Sequence, residues 1–343
     1  MSSSSDPPRG FPPPPSSAFE PRRESADDRP SGEEAESAPT FDWRKNVVLF
    51  LLTVLSVFWA GRQYDLAGAS WKFALPLLAI LITHEFGHYF AARIHRVPTS
   101  LPYFLPLPVL GPFGTLGAVI LMPKRIRSRT ALLDIGAAGP IAGMLVAVPL
   151  MVWGLMLSHV EALPALTDDV FWQQEGQSLL YVALKAMIFG HIPPGHDVIL
   201  HPTAFAAWAG FFLTFLNMLP FGQLDGGHVA YALFGRKQNK VAVAMIFMPL
   251  AMLVYNFWVF GLPTLKKALL SGTSSLGKHD YLPLSSLMPW IVLLGLLLVF
   301  RRLAGSDHPP VDDEHLSTSR KFVAAATLLM FIALFMPSPM VTF

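Results

Sequence analysis

Two histidines four positions apart enclose a glutamate in one short stretch of the chain, His84-Glu85-Phe86-Gly87-His88. Residues four apart lie on the same face of an α-helix, so both imidazoles can reach one metal ion. The glutamate beside the first histidine can hydrogen-bond a water on that metal. Zinc suits this arrangement, because a catalytic zinc takes three protein ligands and keeps one position open. The stretch therefore predicts His84 and His88 as ligands of one catalytic Zn2+.

The surroundings of this stretch are apolar over residues 73–94, a length that can cross a bilayer. Ionisable side chains inside a membrane helix are costly and by default mark a functional site. The alternative is a buried polar cluster that packs against other helices without a metal. That cluster would need partners for three polar groups, so the metal site is favoured.

A third ligand is expected from Asp225, which follows the uncharged run 202–224. It lies in the stretch Asn217-Met-Leu-Pro-Phe-Gly-Gln-Leu-Asp225-Gly226-Gly227. Taken alone, Asp-Gly-Gly is more typical of a turn that ends a helix and is capped by the aspartate. Taken with the two histidines, a metal ligand is the favoured interpretation.

The composition says which elements can position these residues. Hydrophobic residues make up 52% of the 343-residue chain and charged residues 14%. Because a soluble chain carries about 25% charged residues, this composition indicates an integral membrane protein. The net charge of +2 does not suggest nucleic-acid binding. The chain has no cysteine, which excludes disulfides, a cysteine nucleophile and thiolate zinc sites.

Apolar runs recur from residue 47 onward at about the 20-residue length that a bilayer requires. Only helices or closed barrels satisfy their backbone groups within lipid. We therefore predict an all-α polytopic membrane protein with about six to seven transmembrane helices. The run 179–190 is too short to span and is expected to lie at the interface. The predicted spans are 47–61, 73–94, 135–158, 202–224, 241–265, 282–300 and 322–343.

Lysine and arginine concentrate before the first predicted span and after the second, fourth and sixth, whereas the loop 159–201 is acidic. With seven spans, the positive-inside rule places all of these basic segments in the cytoplasm. His84, His88 and Asp225 then lie towards the cytoplasmic side at comparable depth. The lysines of residues 266–278 disagree with this orientation, which the other segments favour.

The two motifs together, H-E-F-G-H and N-x-L-P-x-x-x-L-D-G-G, resemble the site-2 protease family of intramembrane zinc metalloproteases. The resemblance covers roughly residues 73–235. It implies His84, His88 and Asp225 as zinc ligands and Glu85 as the general base that activates a zinc-bound water. It also implies that Asn217 steadies the substrate carbonyl or oxyanion.

One further stretch, residues 111–118, resembles the membrane-embedded β-hairpin of this family, which is thought to add a strand to the substrate. An ordinary Pro-rich re-entrant loop fits residues 101–120 equally well. The expected fold is therefore an all-α membrane protein that contains either this hairpin or a loop in its place.

The predicted function is an intramembrane zinc metalloendopeptidase that hydrolyses peptide bonds in transmembrane segments, as in regulated intramembrane proteolysis. Its expected partners are a single-span membrane protein as substrate and the lipid bilayer. The alternative is a metal-ion transporter that uses His84, His88 and Asp225 as a transit site. A transport path should have polar residues along several spans, and most predicted spans lack them. A catalytically inactive relative that acts as a scaffold is less favoured, because Glu85 is intact.

The domain prediction follows from these runs. Residues 1–44 are expected to form a disordered cytoplasmic tail, 45–303 the membrane metalloprotease domain, 304–319 a charged linker, and 320–343 a C-terminal transmembrane helix. The acid-rich tail shows no targeting signal, which favours a bacterial cell inner membrane over an organelle.

Several other features are interpreted without a catalytic role. Gly139-x-x-x-Gly143 permits close helix approach and is interpreted as packing. Asp134 is expected to cap the third span or to pair with Arg129, and His95 to lie at the interface. The acidic loop holds three irregularly spaced histidines, which are favoured as solvated residues over a second metal site. They are His191, His196 and His201.

Overall fold

A computed structural model of the protein describes residues 43–64, 70–108, 111–123, 126–163, 172–271, 278–304, 311–312 and 315–343. The described residues are mostly helical, in agreement with the predicted class. The predicted tail lies outside them except for its last two residues, which begin the first helix. The α-helices are α1 (Trp43–Tyr64), α2 (Ser70–Ile94), α3 (Arg129–Met156), α4 (Leu179–Phe189), α5 (Pro202–Asn217), α6 (Asp225–Phe234), α7 (Gln238–Met245), α8 (Phe247–Asn256), α9 (Leu262–Ser271), α10 (Lys278–Tyr281), α11 (Met288–Ala304) and α12 (Thr318–Leu334).

Among the described residues, short strands form three two-stranded antiparallel sheets. β1 (Tyr103–Pro106) pairs with β2 (Thr115–Val119), and the register shifts between Phe104 and Pro106. β3 (His159–Ala162) pairs with β5 (His196–Ile199). β4 (Gln173–Glu175) pairs with β6 (Met340–Thr342). The first sheet occupies the residues for which a hairpin and a re-entrant loop were both expected.

Five helical segments among the described residues are long and apolar enough to cross a membrane. A helical membrane protein is therefore confirmed. The predicted spans 202–224 and 322–343 correspond to the shorter helices α5 and α12, of 16 and 17 residues, so a total of six or seven spans stays a prediction. The five segments are Trp43–Gln63, Ser70–Ile94, Arg129–Met156, Asp225–Ser271 and Leu282–Arg302.

Helix α5 returns the chain from the far end of α3 to the predicted metal site. At its start, the backbone N–H of His201 donates to Oγ of Ser158, just after α3 ends. At its last residue, Asn217 lies beside His84. The 16 residues cover about 24 Å. The uncharged run continues to residue 224, but Gly222 has φ +51°, so residues 218–224 form a turn rather than more helix.

The last predicted span, 322–343, is also helical over fewer residues than predicted, because α12 ends at Leu334. Phe335 is extended, with ψ 130°, and the following residues run to β6. The side-chain amide of Asn256 and the indole N–H of Trp290 both donate to the carbonyl of Pro337, at 2.8 and 3.0 Å. These contacts hold the segment against α8 and α11 and align β6 with β4.

Helices α2 and α3 cross at their closest point within the H-E-F-G-H stretch. A Cβ on Gly87 would lie 2.5 Å from the carbonyl oxygen of Ala138, so only glycine permits this approach. Nearer the start of α2, Phe73 and Leu77 are fully buried, in the same core as Trp208 and Phe211 of α5. The three helices α2, α3 and α5 thus form a tightly packed centre around the predicted site.

The hairpin of β1 and β2 lies along α1. The side-chain amide of Asn46 donates to the carbonyls of Leu101 and Pro102, at 2.8 and 2.9 Å. Ten residues farther along α1, the hydroxyl of Ser56 donates to the carbonyl of Gly114 at 2.5 Å. Gly114 has φ +74°, and its backbone approaches that of Ser56 too closely to admit a Cβ. Helix α1 therefore contacts both ends of the hairpin.

A small polar cluster joins α4 to β4 and β5. The amine of Lys185 in α4 lies 2.7 Å from Oδ1 of Asp197 in β5 and 3.5 Å from Oε1 of Glu175 in β4. The hydroxyl of Tyr181 donates to the same Glu175 oxygen at 2.6 Å. Burial raises the pKa of the Glu175 carboxyl, and the Lys185 charge opposes that rise. The predicted interfacial segment 179–190 is therefore a helix held by buried ion pairs.

Candidate metal centre

The two histidines of the predicted zinc motif lie on one face of α2 and are buried. His84 is 4% exposed and His88 6%. Their Nε2 atoms are 3.2 Å apart. This proximity follows from the spacing of four residues, which puts both side chains on one side of the helix.

Asp225 is the first residue of α6, so Asp-Gly-Gly begins a helix and does not form the helix-ending turn that was the less favoured alternative. Its Oδ2 lies 3.1 Å from Nε2 of His84 and 3.2 Å from Nε2 of His88. A carboxylate in the first turn of a helix is favoured by the partial positive charge of the helix N-terminus. Gly226 and Gly227 leave room for the turn 218–224, because a Cβ on either would meet the backbone carbonyls of Met218 or Gly222.

The three donor atoms have the spacing that a tetrahedral zinc requires. Their mutual distances are 3.1, 3.2 and 3.2 Å. Zinc bonds of about 2.0–2.1 Å at tetrahedral angles place neighbouring ligand atoms about 3.3 Å apart. Two imidazoles and one carboxylate are also a known catalytic ligand set, which leaves a fourth position open. Within the described part of the chain, these residues form the one group of three or more His, Asp or Glu side chains that could hold a metal.

A backbone carbonyl decides which nitrogen of His88 faces this group. Nδ1 of His88 lies 2.7 Å from the carbonyl oxygen of Ile135 in α3. A carbonyl can only accept, so Nδ1 carries the hydrogen. In the neutral ring Nε2 then has a free lone pair, which points at Asp225 and His84. Metal-binding histidines are commonly oriented in this way by a second hydrogen bond.

Glu85 follows His84 directly and is 4% exposed. Its carboxylate makes no hydrogen bond with the described residues, so it is available to a ligand. A buried carboxylate beside an open metal position has the chemistry of a general base.

Asn217, the last residue of α5, completes the group that the sequence singled out. Its side-chain amide nitrogen lies 3.4 Å from Nε2 of His84. It can donate to an oxygen bound at the same place. The structure thus brings together four of the five predicted site residues by direct contact, and Glu85 adjoins them on α2.

Two glycines of α3 contact the histidines of the candidate metal centre, a relation that the sequence analysis missed. A Cβ on Gly139 would overlap the imidazole of His88, and one on Gly143 would lie 3.1 Å from Nδ1 of His84. The G-x-x-x-G pattern was interpreted as packing without chemistry. It is packing, but against the two imidazoles of the candidate metal centre. The shared spacing of four in the glycine pair and the histidine pair was the signal available in the sequence.

Asp134 differs from its predicted environment. Helix α3 is capped by Ser128, whose hydroxyl accepts from the N–H of Ala131. Asp134 lies one and a half turns into the helix and pairs with His95 and with Arg320 of α12. The expectation that Asp134 caps the span or pairs with Arg129 was wrong, because its arginine partner, Arg320, is 186 residues away in the chain and no local pattern indicates it.

Arg129, the other partner expected for Asp134, binds the end of α6 instead. Its Nε donates to the carbonyl of Ala232 at 2.6 Å. Lysine and arginine side chains are favourable at helix C-termini, where carbonyls lack partners. Arg129 thereby ties α3 to the helix that begins with Asp225.

The histidines of the acidic loop do not form a second metal group in the described residues. His191 and His196 are exposed. The Nδ1 of His201 accepts from the N–H of Thr203 and caps α5.

Comparison with known proteins extends the site-based interpretation. The model of peptidase family M50 matches residues 72–256. "Probable zinc metalloprotease EGY2, chloroplastic" of Oryza sativa subsp. indica is 33% identical over 165 residues, which are 48% of this chain and 29% of that protein. "Probable zinc metalloprotease EGY1, chloroplastic" of Arabidopsis thaliana is 34% identical over 174 residues, 50% of this chain and 31% of that protein.

The chain spans about three tenths of the length of these relatives. No solved structure gives a significant match. The names of the relatives indicate zinc, and the His84, His88 and Asp225 donors fit that metal. The family match extends over more than half of the chain and includes every residue of the candidate centre. The chain therefore belongs to peptidase family M50, the site-2 proteases.

Proposed function

We propose that this protein is an intramembrane endopeptidase that hydrolyses peptide bonds in transmembrane segments of membrane proteins. Its zinc ligands are His84, His88 and Asp225, and Glu85 is its general base and acid. The observation that carries this proposal is the near-equilateral triangle of donor atoms, with sides of 3.1–3.2 Å, beside a buried glutamate. This group lies on helices that are long and apolar enough to cross a membrane.

A zinc ion held by these side chains would polarise the scissile carbonyl and lower the pKa of a water to about 7. Glu85 accepts a proton from the attacking water and donates it to the leaving amine nitrogen. The net reaction adds one water across the peptide bond. Burial of Glu85 excludes bulk water, so the proton it holds is delivered to the amine rather than to solvent.

Asn217 is proposed to bind the oxygen of the scissile carbonyl. Its amide nitrogen is a neutral donor within 3.4 Å of His84, on the side of the group formed by the end of α5. A donor aimed at an oxygen that gains negative charge lowers the barrier of acyl transfer. Asn217→Asp should lower kcat more than it raises KM, because the carboxylate repels that charge.

The substrate segment must be unwound before hydrolysis, because helical carbonyls are already hydrogen-bonded. The two-stranded sheet of β1 and β2 leaves one edge of each strand unpaired within the described residues. An extended peptide can add to such an edge and satisfy its backbone there. An apolar cavity of about 410 Å3 lies between the hairpin, α5 and α11, lined among others by Phe113, Leu116, Phe212 and Leu216. It can take apolar side chains of a transmembrane segment.

The membrane and the biological setting belong to the same proposal. Single-span proteins are proposed as substrates, in regulated intramembrane proteolysis, with the metal centre towards the cytoplasmic side. The bacterial inner membrane expected from the sequence is not supported by the relatives, whose names place them in chloroplasts.

Cleavage of a model transmembrane peptide in detergent micelles tests the function. The wild type should cleave it, and a chelator should stop cleavage. Glu85→Gln keeps the shape of the side chain but cannot accept the proton, so we expect a loss of at least about 100-fold in kcat. Equal rates for the wild type and Glu85→Gln would contradict the assigned mechanism. Zinc flux into liposomes without peptide cleavage would instead favour a metal transporter.

A further inference from the structure

The carboxylate of Asp134 in α3 is contacted from α12 and from the turn that follows α2. Nε and Nη2 of Arg320, at the start of α12, lie 3.1 and 2.9 Å from Oδ1 and Oδ2 of Asp134. Nε2 of His95, just after α2, lies 2.8 Å from Oδ2 of the same carboxylate. The guanidinium thus binds Asp134 as a two-point fork, which fixes orientation as well as distance.

This contact does not serve as a helix cap. Ser128 caps α3, and Asp134 lies beyond the first turn, where backbone N–H groups already have helical partners. One partner of Asp134 belongs to α12, and the other lies in the turn that follows α2. Because a fork between two helices resists rotation and sliding, the pair determines where this part of α3 sits relative to α2 and α12.

The residue next to Asp134 contacts the metal centre. The carbonyl of Ile135 accepts the hydrogen bond from Nδ1 of His88 at 2.7 Å. One helical turn farther along α3, Gly139 lies so close to the same imidazole that no Cβ would fit. The ring of His88 is therefore confined between two backbone points of α3. A small rotation of α3 would move the carbonyl and turn the ring with it.

Helix α12 is well placed to control that rotation. Its Ala324 is buried in one cluster with Leu133 and Ala137 of α3 and with Val229 of α6. The same helix therefore packs against both the element that orients His88 and the element that begins with Asp225. Arg320 lies outside the residues that match the peptidase family, 72–256.

We propose that Arg320 is a positioning residue for the metal centre. By binding Asp134, it holds the turn of α3 whose Ile135 carbonyl directs Nε2 of His88 towards the metal. This inference rests on the proposed function in taking zinc as the ligand of the centre. It adds a role for the C-terminal helix, which contributes no metal ligand itself.

A plain stabilising ion pair would behave differently. Arg320 and Asp134 side chains are 39% and 26% exposed, and ion pairs at such positions contribute little to stability. If that were their whole role, loss of Arg320 would leave metal coordination unchanged. A positioning role instead alters the geometry and affinity of the bound metal.

The experiment uses the full-length protein in detergent and measures zinc affinity by competition with a chelator. Loss of a direct hydrogen-bond partner of a metal ligand lowers metal affinity about 10–100-fold. Arg320 acts through Asp134 and Ile135, so we expect Arg320→Ala to lower zinc affinity by about threefold to tenfold. With Co2+ in place of zinc, the visible absorption bands should shift. Lys321→Ala is the matched control, because it removes the same charge from the next, exposed residue.

Arg320→Lys keeps the charge but loses the two-point fork, so its zinc affinity should fall between wild type and Arg320→Ala. It also carries the test if Arg320→Ala does not fold. Wild-type affinity and an unchanged Co2+ spectrum in folded Arg320 variants would overturn the inference, as would an equal loss in Lys321→Ala. A wild type that binds zinc but cleaves no peptide would contradict the proposed function alone.

Discussion

Gly139 and Gly143 let α3 lie directly against the two ligand histidines. The position of a Cβ on Gly139 coincides with the ring of His88, whereas Gly143 would bring one within 3.1 Å of His84. The absence of a side chain at these positions is therefore part of the metal centre. Glycine is common where membrane helices cross closely. In the sequence, these two glycines therefore indicate helix packing and not a contact with the histidines.

Gly139→Ala is accordingly expected to displace His88 and to lower zinc affinity by about 10–100-fold. The measurement is zinc affinity of the purified protein by chelator competition. Gly295→Ala in α11 is the matched control, because no atom lies within 4 Å of its added Cβ. That control should bind zinc as the wild type does. Unchanged zinc binding in Gly139→Ala would show that α3 can move away without cost to the site.

Helix α1 and the β1–β2 hairpin form one packed unit. Asn46 and Ser56 reach backbone carbonyls at the two ends of the hairpin. The sequence left a hairpin and a re-entrant loop open, because Pro-rich and Gly-rich segments suit both. The described strands and their contacts with α1 favour the hairpin over the loop. In the proposed function, the free edge of this hairpin pairs with the substrate.

Gly114→Ala should separate the hairpin from α1 and lower kcat/KM for the transmembrane peptide by about tenfold, with zinc affinity unchanged. An added Cβ would meet the backbone of Ser56 and would also strain φ at +74°. Gly117→Ala controls for strain alone, since Gly117 has φ +99° but no atom near the added Cβ. Peptide cleavage and zinc binding are measured on both. Equal losses of cleavage in the two variants would argue against a role for the contact with α1.

The candidate metal centre connects helices that are distant in the chain. His84 and His88 belong to α2, Asp225 begins α6, and Asn217 ends α5. A ligand that binds only the folded state stabilises it by mass action, by about 2.7 kcal/mol at a concentration 100 times its Kd. Zinc should therefore act as a cross-link that raises the thermal stability of this bundle.

Thermal unfolding with and without zinc tests this cross-link. The wild type should unfold at a higher temperature with zinc, and a chelator should reverse the gain. Asp225→Asn keeps the size of the side chain but is a poor ligand, so most of the gain should disappear. Glu85→Gln should retain it, because Glu85 is not assigned as a ligand. A gain in Asp225→Asn equal to that of the wild type would exclude Asp225 from the metal site.

Local features of the fold and of the site were predictable because they depend on neighbouring residues. Apolar runs of bilayer length identify helices, and a spacing of four puts His84 and His88 on one face. The ends of α5 and α12 were not predictable from charge alone. An uncharged run continues through the turn after Asn217 and through the extended residues after Leu334, and neither segment contains a charge to mark the change.

The sequence by itself determined the membrane class and the family, because short motifs and apolar runs of bilayer length encode them, and it predicted the residues of the candidate metal centre. Only the tertiary structure decided what surrounds that centre. Asp134 pairs with Arg320 across 186 positions, the Ile135 carbonyl orients His88, and Gly139 borders its ring. These relations depend on how the helices cross. Crossing is governed by contacts between distant residues, which no local pattern records.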